Sequence, residues 1–244
     1  MGKPQIERWA FYCDSHGDLL HQPTATALYE FLDYFKPTVR IHGGDFMNLD
    51  SLRQGASDED KHKGIKEDIE QGVEFVNKTK TNVLLHGNHD DRLREAISKG
   101  CGRLREYSTL FHNQVIDSIR KCQHVPYDAR RGEYKYGNFK FVHGYSTGKN
   151  AGTLEVGAYK TNVIAGHRHQ FNRITIPNCD RDVAITCGLM GDIDRMEYMR
   201  KKLGIMAWEN GWLYGFKYPT GELQVFEARM IGGKWRFPTE VHSL

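Results

Sequence analysis

The chain has no apolar stretch approaching the ~18 residues that a membrane-spanning helix requires. Its first residues, Met1-Gly2-Lys3-Pro4-Gln5, lack the apolar core of a secretion signal. No membrane partner is expected, and the cytoplasm is the expected compartment. There is no Cys-x-x-Cys pair among Cys13, Cys101, Cys122, Cys179 and Cys187. An odd number of thiols in a chain this large argues against a disulfide framework. Cys13 and Cys187 fall in strand-like runs and read as small buried hydrophobes. No long block of one charge sign occurs, and the net charge of +3 does not mark a nucleic-acid binder by itself. The short basic run Arg200-Lys201-Lys202 reads as a solvated helix face. No repeat of fixed period and no Pro/Gly/Ser-rich linker divides the chain. A single domain over residues 1–244 is therefore expected.

What the sequence does have is a recurring pattern. Val83-Leu84-Leu85-His86 runs into Gly87-Asn88-His89-Asp90. Trp9-Ala10-Phe11-Tyr12-Cys13 runs into Asp14-Ser15-His16-Gly17-Asp18, and Thr38-Val39-Arg40-Ile41-His42 into Gly43-Gly44-Asp45. Phe139-Lys140-Phe141-Val142 runs into His143-Gly144, and Asn162-Val163-Ile164-Ala165 into Gly166-His167-Arg168-His169. An apolar run of this length wants a buried sheet. One polar ending beside a glycine is ordinary turn chemistry. Five endings that all supply metal-ligand side chains are not. Gly87 is expected to let the backbone turn sharply where its strand stops.

Between these runs the first half alternates strand and helix, as a parallel sheet with crossover helices does. The spacing predicts a helix over 24–35 capped by Thr24, and one long polar helix over 57–78. A helical insertion is expected over about 91–125, with helices at 91–98 and 104–122. The second half reads as mostly β: a hairpin over 134–142, a short helix over 156–160, and strands over 162–165, 171–176, 183–187, 211–218 and 222–230. Two packed sheets are the expected result. Trp208, Trp212 and Tyr214 read as sheet packing, with an interface as the other use. His42 and His86 read as core residues or as supports for the site, and Asp18, Asn48 and Tyr145 carry no firm role.

The polar endings offer Asp14, His16, Asp45, Asn88, His143, His167 and His169. Carboxylate, amide and imidazole donors suit borderline divalent metals such as zinc, manganese and iron. The set is too large for one tetrahedral ion and suits two ions that share a bridge. Asp14-x-His16 and His167-x-His169 would each put two donors on one side of an extended chain.

These residues carry a resemblance. Asp14-x-His16, Gly44-Asp45, Gly87-Asn88-His89-Asp90, His143-Gly144 and Gly166-His167-x-His169 occur in the order of the five blocks of the calcineurin-like metallophosphoesterases. The resemblance implies a four-layer α/β/β/α sandwich of two mixed β-sheets flanked by helices, in a compact form without a large cap. It implies that Asp14, His16 and His169 hold one divalent ion, that Asn88, His143 and His167 hold the other, and that Asp45 bridges them. Manganese is the first expectation, with iron, zinc, nickel and cobalt as alternatives. His89 would face the scissile phosphate and Asp90 would orient it, while a metal-activated hydroxide attacks phosphorus. Arg92 and Arg168 are the candidate substrate contacts.

The resemblance admits three functions. The first is hydrolysis of phosphodiesters in a nucleic acid or nucleotide. Asp90, where the protein-phosphatase branch has Glu, and His86, where it has Arg, favour this one. The second is phosphomonoester hydrolysis, of protein or small molecule. The third, of another class, is a non-catalytic metal- or phosphate-binding scaffold, against which the full ligand set argues. The segment from Gly100 to Arg131 interleaves Arg103, Arg105, Arg120, Lys121, Arg130 and Arg131 with Tyr107, Phe111 and Tyr127. It reads first as a helical insertion with solvated charges, and second as a track for a nucleic-acid strand. Nothing in the sequence signals an oligomeric state.

Overall fold

In the computed structural model, which describes residues 5–119, 121–177, 180–196 and 202–237, the first apolar run forms strand β1 (Glu7–Tyr12). Arg120, Cys179 and the Arg200-Lys201 pair lie outside the described residues. Along β1 and just beyond it, Trp9, Phe11 and Cys13 enter one apolar cluster, and Ala10 and Tyr12 enter another. Both faces are buried, so the run is continuously apolar rather than alternating.

The chain continues through α1 (Gln22–Phe35), β2 (Val39–His42), α2 (Asp58–Lys61), α3 (Lys66–Lys78), β3 (Val83–Leu85), α4 (Asn88–Lys99), α5 (Gly102–Ser118) and β4 (Gln123–Val125). Then come β5 (Glu133–Tyr136), β6 (Phe139–Val142), α6 (Ala151–Tyr159), β7 (Asn162–Ala165), β8 (Asn172–Thr175) and β9 (Val183–Thr186). The last strands are β10 (Gly211–Lys217), β11 (Leu223–Ile231) and β12 (Lys234–Arg236). One sheet has the order β12-β11-β10-β1-β2-β3-β4 and the other β5-β6-β7-β9-β8. β1 to β4 pair in parallel, whereas β10 joins β1 antiparallel. In the second sheet β6, β7 and β9 are parallel.

The two sheets face each other across Trp9, Phe11, Ile41, Phe141, Ile164 and Leu213. The outer face of the larger sheet is covered by α1, through Leu28 and Phe31, and by α3 to α5, through Ile69, Leu93 and Val115. The outer face of the smaller sheet is covered by α6 through Val156. This is the four-layer sandwich of two mixed sheets. No helix among the described residues is long and apolar enough to cross a membrane.

Three local expectations are corrected. The first helix begins at Gln22, with His21 in the capping position and Pro23 inside the first turn. Thr24 lies within it, its hydroxyl 2.7 Å from His21 Nδ1. The polar helix over 57–78 is two helices, because residues 58–64 carry no apolar side chain to bury and include Gly64. The stripe that anchors α3 starts only at Ile65. The helical insertion is α4 and α5, and it ends earlier than expected, at Ser118. The next element is the edge strand β4, paired with β3 from Val83↔Gln123 to Leu85↔Val125. Its three residues are too few to show a period, and backbone pairing holds it. β12, equally short, was not expected at all.

Candidate active site

The polar endings of β1, β2 and β3 in one sheet, and of β6 and β7 in the other, come together at one end of the sandwich. They do not do so as extended chain. Asp14, His16, Asp45, His167 and His169 all sit at positive φ, between 51° and 64°. Left-handed backbone is uncommon outside glycine and costs of order 1–3 kcal/mol per residue. The surrounding loops impose it. Asp14, His16 and Gly17 donate their N–H groups to the carbonyls of Gly44, Asp45 and Phe46 at 2.9–3.0 Å. The two donors of each Asp-x-His or His-x-His pair therefore converge by backbone curvature, not by strand alternation. Gly87 also differs from expectation. Its φ of −105° is open to any residue. A side chain is excluded because a Cβ there would lie 2.1 Å from Asp45 Oδ1 and 2.7 Å from His143 Cε1.

The donor atoms form three overlapping groups: Asp14, His16 and His169; His16, Asp45 and His89; and Asp45, His143 and His167, each within 4.8 Å. His169 Nε2 lies 3.4 Å from Asp14 Oδ1 and 3.4 Å from His16 Nε2. His143 Nε2 lies 3.3 Å from Asp45 Oδ2 and 3.1 Å from Asn88 Oδ1. The residues fit a divalent cation on three counts. Asp14 Oδ1, which faces the two Nε2 atoms, is buried with no hydrogen-bond partner, which is unusual for a group taken out of water. His143 Nδ1 is 2.8 Å from the Gly43 carbonyl and must donate to it, which turns the lone pair of Nε2 into the site. Burial pushes the His143 imidazole down, yet the Asp45 carboxylate beside it prevails and raises it to about 10. The carboxylates thus favour positive charge at this position, a proton on the ring or a cation in its place. His167 is lowered to about 4, by burial and then by His143.

His89 is buried, with Nδ1 3.0 Å from the Asn48 carbonyl and 3.1 Å from Asn48 Oδ1. Both are acceptors, so Nδ1 carries the proton and Nε2 is left to face Asp45 Oδ2 at 3.9 Å. Asn48 orients this ring, and its own backbone is pinned by Asp68, which accepts from Asn48 N at 2.8 Å and Leu49 N at 2.6 Å. Only the packing of α3 against that loop reveals the arrangement. Asp90 does not orient His89. Its carboxylate accepts from the backbone N–H groups of Asp45, Met47 and Gly87 at 2.8, 3.0 and 2.8 Å, tying the second loop to the start of α4. Asp90→Ala leaves three buried donors unpaired. It should lower unfolding free energy by at least about 3 kcal/mol, and metal affinity by about 10–100-fold. Urea denaturation and metal titration measure both.

Arg92 has protein partners rather than a free guanidinium. It donates to the Asn48 carbonyl at 2.5 Å, meets Asp50 Oδ1 at 3.3 Å, and lies 3.2 Å from His89 Nε2. These contacts hold the Asn48 loop. Arg168 lines the cavity at the cluster, and its Nη1 is buried without a hydrogen-bond partner. His42 supports the loops, accepting from Gly44 N at 3.2 Å and meeting Ser15 Oγ at 3.2 Å. His86 pairs with His124 at 3.1 Å, away from the donors. Tyr145 stacks on Tyr127, whose ring centroid is 5.7 Å from that of His143. The basic and aromatic residues of 100–131 are divided. Phe111 packs inward against the α3–α5 core, Tyr107 is exposed on α5, and Arg131 pairs with Asp128 beyond β4.

Among proteins of curated function none matches the sequence. Several solved structures resemble the chain at low identity. Vps29 of Entamoeba histolytica, solved with zinc, is 10% identical over 94% of this chain and 96% of its own, with a TM-score of 0.47. A metallophosphoesterase of Sphaerobacter thermophilus is 11% identical over 92% and 89%, with a TM-score of 0.47. The phosphoesterase Yfce of E. coli is 11% identical over 90% and 98%, with a TM-score of 0.39. The sequence profile of the calcineurin-like phosphoesterases matches residues 13–179, a span that holds all five donor-bearing loops, and the chain belongs to that family.

Proposed function

We propose that the chain hydrolyses phosphoesters at a centre of two divalent ions, with phosphodiesters of nucleotides or nucleic acid as its preferred class. The observation that carries this reading is the position of Asp45, which joins the donor group containing His16 to the one containing His143 and His167. Asp14, His16 and His169 would hold one ion, and Asn88, His143 and His167 the other, with Asp45 between them. Nitrogen and oxygen donors in this mixture admit manganese, iron, zinc, nickel or cobalt, with availability deciding among them, and manganese is our first choice. Divalent ions bound there neutralise phosphoryl oxygens and acidify water.

The chain's own groups do the rest. Asn48 commits His89 Nδ1 as a donor, and Nε2 accepts from Arg92 Nη2 at 3.2 Å; to protonate the leaving oxygen, Nε2 would take up a proton and release Arg92 as substrate binds. Asp90 keeps Asp45 in register with α4. Arg168, which lines the cavity at the cluster, offers a guanidinium to a phosphoryl oxygen. The diester preference is supported by the cavity of about 410 Å³ beside the cluster, which leaves space for a second organic substituent. A proton donor at the leaving oxygen also matters most for the alkoxides that natural diesters release. We place the enzyme in the cytoplasm, in keeping with unpaired Cys13, Cys101, Cys122 and Cys187.

Manganese-loaded protein should cleave bis-p-nitrophenyl phosphate with a kcat/KM at least about tenfold above that for p-nitrophenyl phosphate, a difference of ~1.4 kcal/mol in transition-state stabilisation. Preference for the monoester would overturn the diester assignment. Turnover of neither would leave the scaffold reading.

A further inference from the structure

Trp208 reads in the sequence with Trp212 and Tyr214, and the structure separates them. Trp212 and Tyr214 lie fully buried on β10. Trp208 is half-buried at the end of a short 3-10 turn, Leu203–Ala207. Its ring centroid is 4.2 Å from that of His169, with the planes at 74°. The contact is anchored by the backbone, since Glu209 N, the next residue, donates to the His169 carbonyl at 2.9 Å. An amphipathic ring with few rotatable bonds, held this way, is a ready-made wall for a planar ligand.

That wall belongs to the cavity of about 410 Å³ that also takes in Asp45, His89 and His167. The volume falls in the range of about 300–1,000 Å³ typical of small-molecule sites. Gly204 and Ala207, on the same turn, line it with little side chain, so the space beside Trp208 is not filled from within. Thr147 and Gln170 add polar groups. Arg168 lines it too, with Nη1 buried and lacking a hydrogen-bond partner. A guanidinium contributed to a cavity wall suits an anionic ligand, whose oxygens its N–H groups can pair with.

We propose that this cavity is the subsite for the nucleoside part of a phosphodiester, with the base against Trp208 and Arg168 on a phosphoryl oxygen. The proposal rests on the phosphoesterase reading and names its substrate: one nucleoside unit, terminal or unstacked, rather than a duplex or a phosphoprotein. The chemistry is sequence-tolerant, because every base offers a π-face to an aromatic side chain.

The test compares two esters with the same leaving group, thymidine 5′-(p-nitrophenyl phosphate) and methyl p-nitrophenyl phosphate, on manganese-loaded protein. The wild type should favour the nucleoside ester by at least about tenfold in kcat/KM, the size expected for stacking a base on one aromatic ring. Trp208→Phe should keep most of that ratio and Trp208→Leu should bring it close to one. Both variants keep apolar bulk against His169, and circular dichroism and metal content check that they fold and load. A ratio unchanged in Trp208→Leu would overturn the subsite. Calorimetry with thymidine 5′-monophosphate and inorganic phosphate gives an independent readout. The nucleotide should bind at least about tenfold tighter than phosphate to the wild type and no tighter to Trp208→Leu. Turnover of both esters with equal kcat/KM would sink the subsite and leave the phosphoesterase standing. A Trp208-dependent preference for the nucleotide without turnover of either ester would do the reverse.

Discussion

Asp45→Ala should yield a folded protein that retains neither ion at stoichiometric occupancy and whose phosphoesterase activity falls by at least about 10³-fold, more than the loss of a single electrostatic donor costs. The reason is the number of contacts that meet at this carboxylate. Oδ2 lies 3.3 Å from His143 Nε2 and 3.9 Å from His89 Nε2, and Oδ1 accepts from His89 N at 2.8 Å. Removing it takes away the negative charge between the two donor groups. Burial pushes the Asp45 carboxyl up, but the His143 and His89 rings more than offset this, and it lies well below the usual carboxylate range. Without it the imidazoles would face one another with nothing between them. Asp45→Asn is the matched control. It keeps an oxygen for His89 N and loses only charge, so it should be closer to wild type in denaturation and closer to Asp45→Ala in metal content. Elemental analysis showing two fully occupied ions in Asp45→Ala would refute the bridging role.

His89→Ala should behave in the opposite way, keeping both ions and losing about 10²–10⁴-fold in kcat, the usual contribution of a positioned proton donor. The ring stands within reach of His16 and Asp45, so its geometry alone admits a ligand role as well. Leaving-group dependence separates the two. If His89 Nε2 supplies the proton, the variant should lose far more rate on esters that release an alkoxide than on esters that release p-nitrophenolate, which needs little help. A ligand would be missed equally by both. Loss of metal with retention of rate would show that the ring binds an ion and does not move a proton. Burial lowers the His89 imidazole, and the Asp45 carboxylate offsets this only in part, so the ring stays below its ordinary value. An arriving phosphoryl anion would act in the same sense as that carboxylate.

Much of the fold was legible because the central strands of this protein are buried on both faces. Trp9 to Cys13, Ile41, Val83 to Leu85 and Val163 to Ala165 read as apolar runs and end where glycine and polar residues begin. The hairpin of β5 and β6 was legible from Gly137-Asn138, with Gly137 at a φ of 59°. Short strands without an apolar run were not, unlike the equally short β3. β4 and β12 have three residues each and are held by pairing rather than by pattern. The break between α2 and α3 was hidden because a polar helix and a polar loop look alike when only their charges are read. The supporting residues were hidden for a different reason. Asp68 is in sequence one of several acids on α3. Only the approach of the 46–50 loop to that helix turns it into the clamp on Asn48, and through Asn48 into the support for His89.

Residue order alone determined which side chains are available to hold cations, since apolar runs must end at the rim of a sheet and their polar endings must share it. Which ring nitrogen faces inward, what Asp90 and Arg92 grip, and that Trp208 stands over His169 while Trp212 is buried were decided only in three dimensions. Those features depend on carbonyl directions and on left-handed loop backbone, which long-range contacts impose against local preference, and no short window of sequence records them.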